Sequence, residues 1–112
     1  MDRIYVSGMR FLDEHGRERI FSGMNVVDKK DYVADNPNFG YPADTFPFEE
    51  FRARGYDMIR LGFTWCAMEP QPGHYNNALI DSLCAFLDKC EEYGIYAYLD
   101  CHQDVWGSVC YG

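Results

Sequence analysis

Basic runs are missing from this 112-residue chain. Its 10 lysines and arginines face 18 acids, for a formal net charge of −8. Such a balance repels nucleic acid and anionic membrane surfaces on average. No C-x-x-C pair occurs among Cys66, Cys84, Cys90, Cys101 and Cys110. An odd count without that spacing argues against a disulfide framework or a zinc site. No apolar stretch of signal-peptide length follows Met1, and no run is long enough to span a bilayer. With Met1 as the start, these two absences predict a cytoplasmic protein. The chain is also short: it allows one domain with one modest core.

What is present is an ordinary globular composition, 47% hydrophobic and 25% charged. Aromatics reach 17%. Flat rings stack well on sugar faces, but for any single ring core filling is the commoner role.

Residues 4–21 predict a β-hairpin able to close the bottom of a larger fold. Phe11-Leu12 and Ile20-Phe21 are its apolar pairs, with turn-like Glu14-His15-Gly16-Arg17 between them. Gly23-Met24-Asn25-Val26-Val27 suits a buried strand, and residues 31–46 are loop-like. Phe48–Arg54 predicts a short helix stopped by Gly55, and Met58–Thr64 a second strand. Residues 65–73, with two prolines, predict a loop. From about Asn77 to Tyr93, Leu79, Ile80, Leu83, Phe86, Leu87 and Cys90 recur at helical spacing. Asp81 suits the first turn of this helix, and Gly94 its end. Cys84 and Cys90 fit as small core residues. Ile95–Leu99 is a third strand.

The order is hairpin, β, α, β, α, β. Strands separated by helices run parallel with right-handed crossovers, and a parallel sheet needs cover on both faces or closure into a barrel. Two helices cannot cover three strands on both sides. A complete barrel takes eight units and ~250 residues. The expected fold is therefore α/β, the N-terminal portion of a (β/α)8 TIM barrel: about three β/α units plus a leading hairpin. Residues 1–112 form one incomplete unit, with the hairpin at 4–21 and the three strands and two helices within 23–112. The strand after Gly94 is expected to be an unguarded open edge. The inner faces of Met58, Leu61 and Phe63 or their neighbours are expected to lack an opposite wall, so the isolated chain should self-associate.

Ligands of parallel β/α folds bind at the carboxyl ends of the strands. Here those ends carry Asp28, Lys29 and Lys30, then Arg60 and Trp65, then Asp100, His102, Asp104 and Trp106. Three independent segments converge on one rim, which favours a site over scattered solvated charges. Arg60 lies inside an apolar strand, and a buried guanidinium needs a carboxylate. No local partner is obvious, so the expected partner is a carboxylate later in a longer chain. His102 is open to three readings: a core histidine, a metal ligand, or a hydrogen-bonding group to substrate. Alternation puts His102 and Asp104 on one face and Cys101 on the other. Two ligands without a third are weak evidence for metal, and substrate binding is preferred.

The runs Arg60-Leu61-Gly62-Phe63-Thr64-Trp65, Glu69-Pro70-Gln71-Pro72-Gly73-His74-Tyr75 and Leu99-Asp100-Cys101-His102-Gln103-Asp104-Val105-Trp106 together resemble glycoside hydrolase family 5, nearest its endoglycoceramidase and glycosylceramidase type. The resemblance covers roughly residues 10–107. It implies a retaining barrel glycosidase, with two glutamates about 5 Å apart, one in an Asn-Glu pair after strand four and a nucleophile after strand seven. Both glutamates are expected beyond Gly112, so no catalytic residue is assigned within this chain, and Glu69 takes a structural role. The resemblance implies that Arg60 supports the nucleophile and that His102 and Asp104 hydrogen-bond the sugar. Lys29 or Lys30 would match a sugar-binding lysine, and Trp65 and Trp106 would shape the pocket or only pack. No metal or cofactor is implied. The implied partner is a carbohydrate or glycolipid. Two alternatives stand beside this: a non-catalytic sugar-binding or interaction fragment, and a metal-dependent barrel hydrolase using His102 and Asp104.

Overall fold

The computed structural model describes residues 1–27 and 40–102. Two three-stranded sheets organise them. The first is antiparallel, in the order β1 (Ile4–Ser7), β2 (Arg10–Asp13), β3 (Glu18–Arg19). The second is parallel, in the order β4 (Gly23–Val26), β5 (Met58–Phe63), β6 (Tyr96–Cys101). Helices α1 (Phe48–Ala53), α2 (Trp65–Met68) and α3 (Asn77–Glu92) lie between the parallel strands in the chain.

The expected single hairpin over 4–21 is a three-stranded meander. The 14–17 turn is where the sequence puts it, but β3 stops at Arg19, so Ile20 and Phe21 leave the ladder. The other edge of β2 is filled by β1, in the register Ile4↔Asp13 to Ser7↔Arg10. Asp13 builds the turn. Its carboxylate accepts from His15 N at 2.9 Å, Arg17 N at 3.0 Å and Arg17 Nε at 2.7 Å, while Gly16 takes φ 75°, a conformation costly for residues with a Cβ. The meander docks where the parallel strands begin. Phe21 packs edge-on to Tyr96, with ring centroids 5.1 Å apart, Arg19 lies over the Tyr96 ring, and Tyr96 Oη donates to Asp2 O at 2.8 Å.

Burial of Asp13 works to raise its pKa, but the Arg17 and His15 donors outweigh it and hold the carboxyl below its ordinary value of 3.8. A depressed acid stabilises fully above its unfolded value and loses that contribution as pH falls through the folded one. Below about pH 4 the meander should therefore loosen first. Asp13→Asn should weaken it at neutral pH and remove the acid step, as read by amide exchange on β2 and β3. Parallel acid curves for parent and variant would refute this.

Alternation sorts the parallel sheet into two faces. Ile59 and Leu61 of β5 are fully buried against Phe48 and Phe51 of α1 and Leu83, Phe86 and Cys90 of α3, with Ile95 completing the cluster. Leu61 therefore faces the helices, which corrects its expected place on the inner face. The opposite face of β5 carries Met58, Arg60 and Gly62, because odd and even positions of a strand part company.

The 77–93 pattern folds as expected, with Leu79, Leu83, Phe86 and Cys90 buried. Asn76 rather than Asp81 serves its start: the Asn76 side chain accepts from Leu79 N at 3.2 Å, and the first turn holds no acid. Gly94, at φ 66°, ends the helix, with Ile95 N bonded back to Cys90 O at 2.8 Å. Cys90 is buried as expected, and burial pushes its thiol up to about 11, which keeps it protonated and inert. Cys84, in contrast, is exposed.

The start of the expected 65–73 loop is the single helical turn α2. Both prolines follow that turn, so neither removes one of its hydrogen bonds. The described residues thus hold three helices rather than two.

Candidate functional site at the strand ends

Parallel pairing sets β5 and β6 in the register Arg60↔Tyr98 and Gly62↔Asp100. Paired residues of parallel strands share a face, so Arg60, Asp100 and, by alternation, His102 belong to the sheet face away from the helices. Arg60 Nη2 lies 2.8 Å from Asp100 Oδ2, and His102 Nδ1 lies 3.1 Å from the same oxygen. The His102 backbone N–H donates to Phe63 O at 2.6 Å, carrying the β5–β6 pairing past the end of the strand.

Arg60 therefore has a partner within the chain. This corrects the expectation that no local carboxylate would meet it; its side chain is 41% exposed against 18% for Asp100 and 21% for His102. A pair this open gains little net stability; what it supplies is a defined direction for three polar groups. Sequence reasoning placed Asp100 on the rim but missed its pairing. The available signal was the D-x-H alternation at the end of an apolar strand.

Gly62 is a second missed residue. A Cβ there would overlap the Val27 side chain, which occupies the room beside it. An isolated glycine within a strand marks such close approach.

Trp65 stands at the carboxyl end of β5, 67% exposed. Its Nε1 donates to Glu69 Oε2 at 2.8 Å, while Glu69 Oε1 accepts from Gly73 N at 2.7 Å. Glu69 thus ties the tryptophan to the proline-containing loop. Phe63, Trp65, Met68, Glu69 and Tyr75 line a hollow of about 260 Å³.

Lys29, Lys30, Asp104 and Trp106, with Asp28, lie outside the described residues. So does Gly112, the position beyond which both catalytic glutamates are expected. Among the described residues, a grouping of metal-ligand type occurs at the meander, where ligand atoms of Asp2, Glu14 and His15 lie within 4.8 Å of one another. It includes none of the rim residues. No described helix is long and apolar enough to cross a membrane.

Residues 12–111 match the family model for cellulase (glycosyl hydrolase family 5). The chain is 35% identical over 129 residues to a glucosylceramidase of Aspergillus fumigatus, with 96% of this chain and 17% of that protein covered. It is 35% identical over 98 residues to an endoglycoceramidase of Hydra vulgaris, covering 85% and 19%. An ergosteryl-beta-glucosidase of Saccharomyces cerevisiae is 41% identical over 124 residues, covering 87% and 16%. The crystal structure of an endogalactoceramidase superposes with a TM-score of 0.77 at 33% identity, covering 96% of this chain and 24% of that one. The chain thus spans less than a quarter of the length of these relatives. The described residues form a mixed α/β arrangement with a parallel sheet and no barrel closure, a part of the fold of that solved enzyme. With the family model spanning nearly the whole sequence, the chain belongs to glycosyl hydrolase family 5, a family of glycoside hydrolases.

Proposed function

We propose that this segment supplies the first three β/α units of a (β/α)8 barrel, and that the enzyme containing it hydrolyses the β-glycosidic bond between a sugar and a lipid aglycone with retention of configuration. The observation that carries the reading is the Arg60–Asp100–His102 array at the carboxyl ends of β5 and β6, in a family whose relatives are named for sugar–lipid substrates.

Retention needs a nucleophilic and an acid/base carboxylate about 5 Å apart. Both are assigned to later strands, beyond Gly112. Arg60 carries five N–H donors. Nη2 serves Asp100, and donors beyond it are left to orient the nucleophile and favour its ionised form. His102 and Asp104 hold sugar hydroxyls, Lys29 or Lys30 adds a donor from the first strand end, and Trp65 and Trp106 shape the walls.

The full-length enzyme should release sugar from glucosylceramide, with the β-anomer appearing first by NMR. Residues 1–112 alone should give no turnover of an aryl β-glucoside. Arg60→Ala should lower kcat in the full-length enzyme about 100- to 1000-fold, the scale for removing one preorganised donor. An initial α-anomer, or turnover by the 112-residue segment, would overturn the reading. Tight glycolipid binding without hydrolysis by the full-length protein would favour a non-catalytic sugar-binding role.

A further inference from the structure

We propose that Asp100 is the positioning residue of this site, a single carboxylate that sets both the direction of Arg60 and the tautomer of His102. The inference rests on the reading above and deepens it.

Asp100 Oδ2 meets two groups at once: it is ion-paired with Nη2 of Arg60 at 2.8 Å and lies 3.1 Å from Nδ1 of His102. Three features of the sheet put it there. Residues 100 and 102 sit two apart on an extended segment, so both side chains leave the same face. Arg60 pairs with Tyr98 across the β5–β6 ladder, so its long side chain runs one alternation step toward the rim to reach Asp100. The residue directly opposite Asp100 is Gly62, which brings no side chain of its own between the arginine and the acid. On the far side of Gly62, Val27 takes up the space a Cβ would need. A larger residue at 62 would displace one neighbour or the other.

The consequence for His102 is chemical. A carboxylate only accepts hydrogen bonds, so the imidazole nitrogen facing it must carry the proton. In the neutral ring that proton sits on Nδ1, which makes Nε2 the acceptor nitrogen of the ring. The consequence for Arg60 is directional. With Nη2 ion-paired to Asp100, the guanidinium is anchored at one end on this face of the sheet, and its other donors stay available beside it. Without Asp100 the Nδ1 proton loses its acceptor and the arginine loses its ion-pair anchor. Misplacement of about 1 Å at reacting groups lowers rates about 100-fold.

The test uses the full-length enzyme. Asp100→Ala should lower kcat about 100-fold while KM on an aryl β-glucoside moves far less. The same substitution in an Arg60→Ala/His102→Ala background should change kcat little, since residues acting as one unit are not additive. Asp100→Asn keeps the volume and one acceptor oxygen, and should give a smaller loss if the alanine variant folds poorly. Selective 15N labelling of histidine reports the tautomer directly: the Nδ1–H form in the parent, and a shift toward Nε2–H in Asp100→Ala. An Nε2–H tautomer in the parent, or an equal loss with Arg60 and His102 already removed, would overturn the proposal. Absence of glycosidase activity in the parent would instead refute the proposed function, and the nitrogen shifts would still decide the role of Asp100.

Discussion

Replacing Phe86 with alanine should remove about 3–5 kcal/mol of stability, the usual loss for a buried phenylalanine. Phe86 has no exposed surface. Its ring lies within 5.1 Å of Phe48, 5.3 Å of Phe46 and 6.1 Å of Tyr41, measured between centroids. The substitution would therefore empty the centre of the layer between α1, α3 and the sheet. Aromatic neighbours with two torsions each refill such a void poorly, so the cavity persists and its penalty adds to the lost transfer energy. The loss is a large share of the ~5–15 kcal/mol that holds a domain folded. Urea unfolding of the full-length enzyme should show it as a lower midpoint at unchanged slope. A change below about 1 kcal/mol would mean that Phe86 is not the centre of this core.

The isolated 112-residue chain should associate with itself and melt broadly. Tyr98 and Leu99 are 58% and 49% exposed on β6. They project from opposite faces of a strand that, among the described residues, is paired on its β5 side alone. That edge, Tyr96–Cys101, holds no lysine or proline to block another strand, and its one acid is engaged by Arg60 and His102. Between meander and sheet, Met9, Phe11, Ile20, Phe21, Met58 and Tyr98 help line an open hollow of about 500 Å³. At ~25 cal/mol per Å², a few hundred Å² of such surface amounts to several kcal/mol of unrealised burial. The net charge of −8 slows association, but it does not cover the surface. Light scattering should give a mass above 13.0 kDa that grows with concentration. Tyr98→Lys with Leu99→Lys should return the chain toward monomer. A monomeric parent with a sharp, high-temperature transition would show the segment to be self-sufficient.

The parts of this molecule that the sequence by itself determined are those written in local periods. The apolar stripe from Leu79 to Cys90 specifies α3, because side chains 3–4 apart share a helix face whatever surrounds them. The apolar runs at 58–63 and 95–99, each next to a helix, specify parallel strands, and parallel strands place Arg60, Trp65 and His102 toward one rim. The runs around Arg60, Glu69 and His102 also carried the family resemblance, since each is contiguous in the chain.

Tertiary structure decided what depends on register and facing. Alternation splits β5 into two sets of residues but does not say which set meets the helices; packing against Phe48, Phe51 and Phe86 assigned Leu61 to the covered face. The chain does not show that Arg60 and Asp100, forty positions apart, share an oxygen-to-nitrogen contact of 2.8 Å, because the contact follows from how β5 and β6 align. The same holds for Val27 filling the space beside Gly62, and for β1 taking the edge of β2 that makes the hairpin a meander. Periodicity is a property of neighbours along the chain, whereas strand register comes from the joint packing of all the elements, and the pairing at this site is a consequence of register.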